Sequence, residues 1–206
     1  MKFKRPSWII IILYIAVFIV GGLIAQELFF YKTLAKKLHV AEVGQFLGPE
    51  DADKVIVEYV DYRCSHCREF HKTLTTILEN NPDTKLVFRH YPVFGEVSLY
   101  EAEVALSAAI HGHFKEFHEF LITHEEPVTP EEVKALVEKH GIDYEEFERD
   151  RYHKFVGPIL MKNVKSAQAF GIQSFPSIII NDQVISFDQL PDVDELQEML
   201  DNAYSK

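Results

Sequence analysis

Trp8 to Ala25 runs for 18 residues without a charge. As a helix at about 1.5 Å per residue it reaches roughly 27 Å, near the thickness of a bilayer's hydrocarbon core. Residues 1–27 are therefore predicted to form an N-terminal transmembrane anchor. Leu28 to Leu47 then mixes apolar residues with Lys32, Lys36, Lys37 and Glu42 at loosely helical spacing, ending at Gly48-Pro49-Glu50-Asp51. That pattern predicts a stalk over residues 28–50, a solvated spacer continuing the anchor helix. Leu34 and Leu38 offer apolar positions for a homo-oligomer formed through residues 28–47. The folded domain is expected over residues 51–206.

Inside the domain the period of the pattern changes. Val55 to Val60 is a short β-rich apolar run broken only by Glu58. From Ser65 onward Cys67, Phe70, Leu74, Ile77 and Leu78 recur at helical spacing until Asn80-Asn81-Pro82. Thr84 to Val93 alternates as a second strand, with Pro92 near its end, where a missing N–H is tolerated. A helical stretch follows. Ser98 with Glu101, Thr129-Pro130 with Glu132, and Asp143 with Glu146 each have the form of a capping box. Gly141 ends a helix through Val133, Leu136 and Val137, and Gly171 closes an amphipathic piece from Phe155 to Phe170. About four helices are predicted for this insertion, roughly residues 97–170. Ser177 to Phe187 reads as a β-hairpin turning near Asn181-Asp182, before a last helix capped by Asp192 with Glu195.

Composition adds limits. With 47% hydrophobic and 13% aromatic residues in 206, the chain has enough apolar material for one well-buried domain. The formal net charge of −11, with no dense Lys/Arg cluster after residue 40, argues against nucleic acid as a partner. Lys2, Lys4 and Arg5 precede the apolar segment, so the positive-inside bias keeps the N-terminus cytoplasmic and sends the domain outward. A removable signal peptide, leaving the domain periplasmic, is the competing reading. Its apolar region would be shorter, and Leu23 stands where cleavage before Gln26 prefers a small residue. Outside the cytoplasm a pair of cysteines can persist as a disulfide.

The two cysteines of the chain, Cys64 and Cys67, fall where the first strand meets the first helix of the domain. Cys64 sits near the helix N-cap, where unpaired N–H groups and the positive end of the helix dipole favour a thiolate. Cys64 is thus the candidate nucleophile and Cys67, one turn in and more buried, the resolving thiol. Two cysteines so close together close too small a loop to be a useful structural staple. His66 lies within reach of the Cys64 thiolate, where it either stabilises that charge, by its own charge or a hydrogen bond, or stands as a surface histidine with no role. Glu58 stands in an apolar strand, where an ionised and unpaired acid is costly, so it is paired, protonated, functional or solvent-facing. Lys85, at the start of the next strand, is its candidate partner. Asp61, Tyr62 and Arg63 read equally as a solvated loop or as groups that tune the site, and no role is assigned to them.

A strand leading into Cys-x-x-Cys on a helix, then a helical insertion, then a Pro just before a β-hairpin resembles the DsbA-like thiol:disulfide oxidoreductases of the thioredoxin-like superfamily. The resemblance runs from about Val55 to Tyr204, on EYVDYRCSHC, on the helices between Val93 and Phe170, and on GIQSFPSIIIN around Pro176. It implies a thioredoxin-like α/β fold and a redox-active Cys64–Cys67 disulfide. It also implies a cis Pro176 against the cysteines, with substrate pairing at Phe175 and Pro176, and Glu58 as a buried acid that moves the proton of the resolving thiol. Cysteine-containing exported proteins and a membrane redox partner are the implied partners, with no cofactor and no metal. Ser65-His66 replaces the Pro-His found between the cysteines of many such oxidases, a change that bears on the redox potential.

Disulfide donation is the favoured direction, because a stabilised Cys64 thiolate favours the reduced form of the protein. Isomerase or reductase activity would use the same residues. Two other classes of function fit the same residues: a zinc or copper site in which Cys64 and Cys67 are completed by His71, His111 or His113, and an adaptor that keeps the fold without turnover.

Overall fold

The computed structural model describes residues 7–152 and 155–205. Lys2, Lys4 and Arg5, which carry the orientation argument, lie outside the described residues. Helix α1 (Ser7–Leu38) contains the apolar segment and is long and apolar enough to cross a membrane. It is followed by β1 (Phe46–Leu47), β2 (Lys54–Val60), α2 (Ser65–Asn80) and β3 (Thr84–His90). Five helices come next: α3 (Glu96–Ile110), α4 (Phe114–Thr123), α5 (Pro130–Lys139), α6 (Tyr144–Arg151) and α7 (Val156–Ala169). The hairpin β4 (Ser177–Ile180) and β5 (Gln183–Ser186) and the helix α8 (Val193–Tyr204) complete the chain.

The strands form one sheet in the order β1-β3-β2-β4-β5, with β2 and β3 parallel and the other pairs antiparallel. Strand β2 is central and covered on both faces, which explains its nearly unbroken apolar sequence. On one face Ile56, Val60 and Phe88 pack with Phe70 and Leu74 of α2, Phe117 of α4 and Leu196 of α8. On the other, Val55, Val57 and Tyr59 meet Ala35 and Leu38 of α1 and Ala167 of α7. The hairpin turns through Asn181 (φ 44) and Asp182 (φ 66), residues whose short polar side chains tolerate the left-handed region that a tight hairpin needs.

The capping boxes at Thr129/Glu132 and Asp192/Glu195 form with both reciprocal bonds, and Asp143 accepts from the N–H of Glu146. Ser98 and Glu101 do not cap. Helix α3 begins earlier, with Gly95 (φ 79) at its N-cap, and both side chains point instead at the loop that follows β2. Among the described residues the insertion holds five helices rather than about four, since Gly112 (φ 76) separates α3 from α4.

The stalk differs most from expectation. Leu28, Phe29 and Phe30 are exposed, yet Ala35 and Leu38 are fully buried against the sheet, and the Tyr31 ring meets Phe170 edge-on at 4.7 Å. Phe46 and Leu47 pair with Val87 and Leu86 of β3. Buried Arg89 fixes this join: its Nη2 donates to the carbonyls of Leu38 (2.7 Å) and Val40 (2.6 Å), and Nη1 pairs with Glu42 at 2.6 Å. A guanidinium from β3 thereby satisfies the C-terminal carbonyls of α1. Leu38 is consumed in this packing and half-buried Leu34 packs against it.

Candidate active site

Cys64 occupies the N-cap of α2 with extended backbone (φ −77, ψ 113). Three bonds to the Asp61 carboxylate shape the loop before it: from the N–H of Arg63 (2.8 Å), the N–H of Val93 (2.6 Å) and the hydroxyl of Ser98 (2.8 Å). The N–H of Cys64 donates to the Asp61 carbonyl at 3.0 Å. Arg63 pairs through Nε with buried Glu101 at 2.9 Å, and both Arg63 and Arg68 donate to the carbonyls of His124 and Glu125 at the end of α4. The helical insertion is thus fastened to the cysteine loop by charge-assisted bonds.

Both cysteines are free thiols. Cys64 keeps 6% of its surface exposed and Cys67 none, so Cys64 is the sulfur within reach from outside. The Cys64 thiol is pushed down to about 6, first by a hydrogen bond from the Cys67 thiol, then by the N–H groups of Cys67 and His66 and the charge of His66, against the opposing effect of burial. Cys67 moves the opposite way, because it gives that hydrogen bond and because burial and Glu58 both disfavour its charge. A lowered Cys64 beside a raised, buried Cys67 suits nucleophilic attack on a disulfide followed by resolution.

The Phe175–Pro176 peptide is cis, and the Phe175 carbonyl lies 3.7 Å from the Cys64 sulfur. Phe175 and Pro176 line a groove of about 460 Å³ with exposed His66, Phe187 and Leu190. A larger groove of about 730 Å³ lies between the end of α1 and α7 and includes neither cysteine.

Glu58 is 1% exposed and its Oε1 has no hydrogen-bond partner. Burial, and next the charge of Cys64, hold its carboxyl well above the usual carboxylate range. Lys85 is not its partner. The parallel register sets Lys85 opposite Val55 and Glu58 opposite Phe88, and since side chains alternate along a strand, Lys85 and Glu58 lie on different faces. Lys85 donates to the Glu50 carbonyl at 2.7 Å.

Strand, N-terminal thiolate and adjacent cis-proline are the arrangement of a thioredoxin site, and the thioredoxin family model matches residues 41–202. The chain belongs to the thioredoxin family. A thioredoxin-like oxidoreductase from Silicibacter pomeroyi superposes with a TM-score of 0.74 at 26% identity, covering 82% of this chain and 96% of that one. A probable disulfide bond formation protein D of Bacillus cereus is 25% identical over 222 residues, covering 100% of both chains. Na(+)/H(+) antiporter NhaA 3 of Salinispora tropica is 26% identical over 137 residues, 65% of this chain. The chain spans 21% of the length of that antiporter.

Around the thioredoxin motif the structure recruits residues to which the sequence assigned nothing. Asp61 and Tyr62 are buried, not solvated, and Arg63 is held by Glu101. The candidate metal-ligand histidines are directed elsewhere: His71 to Glu119 at 3.3 Å, His111 to Asp150 at 3.1 Å, and His113 towards Glu116 at 3.9 Å. Among the described residues, no group of three or more His, Cys, Asp or Glu is arranged to hold a metal ion. A histidine spacing in sequence could not have told these pairings from ligation.

Proposed function

We propose that this chain is a membrane-anchored thiol:disulfide oxidoreductase that donates a Cys64–Cys67 disulfide to cysteines of exported proteins. One observation carries the reading: Cys64 caps the start of α2 with the fully buried Cys67 one turn on and the carbonyl of the cis Phe175–Pro176 peptide 3.7 Å from its sulfur. In this reading a substrate thiolate attacks the Cys64 sulfur of the oxidised protein, and Cys67 leaves with the electron pair and is protonated. A second substrate thiolate then displaces Cys64, forming the substrate disulfide and releasing the stable Cys64 thiolate. His66 stabilises that thiolate, Glu58 exchanges the proton of Cys67, and the backbone at Phe175 and Pro176 receives the substrate. The reduced protein is reoxidised by a membrane redox partner. Residues 1–27 anchor the chain with the N-terminus cytoplasmic and the thioredoxin domain outside.

Two measurements test this. Cys64→Ser should abolish thiol exchange with a disulfide-bonded model protein such as insulin; retained exchange would favour an adaptor. The reduced form should also melt at a higher temperature than the oxidised form. The opposite order would assign the chain to reduction or isomerisation.

A further inference from the structure

Cys67 and Glu58 are both shut off from solvent, yet every redox cycle must bring a proton to Cys67 or take one away. On the same side of the sheet lies a row of polar groups that the cysteine chemistry described so far does not use. His90 Nε2 is 3.0 Å from the Tyr62 hydroxyl, which is 2.9 Å from His118 Nδ1. His118 Nε2 is 3.4 Å from His71 Nδ1, and His71 Nε2 is 3.3 Å from Glu119 Oε2, with the Thr75 hydroxyl also at 3.4 Å. The row starts at fully buried His90 and ends at Glu119, whose side chain is 40% exposed.

The chemistry of the ends orients the whole row. An ionised Glu119 can only accept, so neutral His71 carries its hydrogen on Nε2 and accepts at Nδ1. His118 then carries its hydrogen on Nε2 and accepts at Nδ1 from the Tyr62 hydroxyl, which accepts from His90 Nε2–H. Every donor points outward. What remains at the inner end is the lone pair of His90 Nδ1, and that atom is buried without a partner. Among the described residues on this face of β2 and β3, Glu58 Oε1 and, at the far end of β3, Thr84 Oγ1 are also buried without a partner. Glu58 and His90 stand on adjacent parallel strands, two positions apart, with Glu58 opposite Phe88 and Val60 opposite His90. Their side chains therefore share the face that α2 and Cys67 cover. Phe88, on the same face, holds its ring tilted against that of His118, with centroids 4.1 Å apart.

We propose that His90, Tyr62, His118, His71 and Glu119 form a proton relay connecting the buried Glu58 and Cys67 pair to solvent. The inference rests on the thiol:disulfide reading above. When Cys67 resolves a mixed disulfide on Cys64, the Cys64–substrate sulfur bond breaks, the Cys64–Cys67 bond forms, and the electron pair leaves on the substrate sulfur. The neutral Glu58 carboxyl takes the Cys67 proton as it gives up its own, that proton enters at His90 Nδ1, and one leaves at His71 Nε2 or Glu119. In the donating direction the same steps run backwards. The charged groups around the row are Glu58 on β2, Arg89 beside His90 on β3, Glu101 on α3 with its partner Arg63, and Glu119 on α4. Burial, then the neighbouring histidines, keep His118 far below the usual imidazole range, so the ring passes protons on and does not store them.

The test is single-turnover mixing of the reduced full chain in detergent with an aromatic disulfide that releases a coloured thiolate. The first release reports attack by Cys64 and the second reports resolution by Cys67. Tyr62→Phe removes the central hydroxyl at nearly constant volume, and His71→Gln interrupts the row near the surface should Tyr62→Phe fail to fold. Each should leave the first phase unchanged and slow the second by roughly tenfold or more, with an altered pH profile and solvent isotope effect. Wild-type resolution in a folded variant, or equal slowing of both phases, would overturn the relay. Absence of the first phase in wild type would instead overturn the role of Cys64 on which the relay depends.

Discussion

Replacing Cys67 by Ala removes the thiol whose hydrogen bond is the largest influence holding Cys64 down to about 6. With that bond gone the Cys64 pKa should climb toward the ordinary thiol value of about 8.5. At pH 7 the thiolate fraction would then fall from about nine-tenths to about 3%, roughly 30-fold. The rate of alkylation at pH 7 would hardly show it, because a thiolate of higher pKa is intrinsically more nucleophilic. With a Brønsted coefficient of about 0.45, a rise of about 2.5 units returns roughly 13-fold, leaving a net change of only about twofold. The informative quantity is the midpoint of the alkylation rate against pH, read alongside ultraviolet thiolate absorbance. Cys67→Ala should move that midpoint up by one unit or more. Cys67→Ser, which keeps a hydrogen-bond donor, should move it much less. Equal midpoints for the wild type and Cys67→Ala would refute the assignment and leave the helix N-terminus and His66 as the source of the low value.

Other outcomes follow from the same structure. Acid should weaken the fold, because burial first, and then Arg89, push His90 down to about 3, while burial and neighbouring His71 and His90 hold His118 far below its usual range. Below about pH 6.5 the unfolded chain takes up those protons and the folded chain does not, a loss of roughly 1–2 kcal/mol per pH unit for each ring. Glu58 works in the opposite sense: its raised carboxyl contributes stability at acid pH that disappears as pH rises. Glu58→Gln should therefore steepen the loss in urea unfolding between about pH 6 and pH 4.5, and an unchanged slope would count against a buried neutral acid. Lys85→Met should leave thiol exchange at the wild-type rate, since Lys85 faces away from Glu58; a clear slowing would contradict the register. Arg89→Met should cost about 3 kcal/mol in denaturation of the full chain in detergent, because it strands the carbonyls of Leu38 and Val40 and leaves Glu42 with Lys162 as its one cation among the described residues. Loss of less than about 1 kcal/mol would mean that those carbonyls find other partners.

Taken alone, the sequence determined whatever depends on neighbours along the chain. The apolar run of β2 and the helical spacing in α2 placed Cys64 at a helix start, because a change of pattern within a dozen residues is a local signal. The hairpin at Asn181-Asp182 and the caps at Thr129 and Asp192 were legible for the same reason: each is closed by residues at most three apart. Tertiary structure decided the rest. Whether Glu58 meets Lys85 depends on which face each residue takes in a parallel pair joined through a helix, and no local pattern fixes that register. Ser98 and Glu101 imitate a cap, yet Asp61 and Arg63 claim them across more than thirty residues. The end of α1 reads as a solvated stalk until Arg89, about fifty residues on, reaches its carbonyls. Tyr62, His71, His90 and His118 form a row only because α2, α4 and the central strands bring them together, since hydrogen bonds of this kind are selected by distance in space and leave no periodicity in the chain.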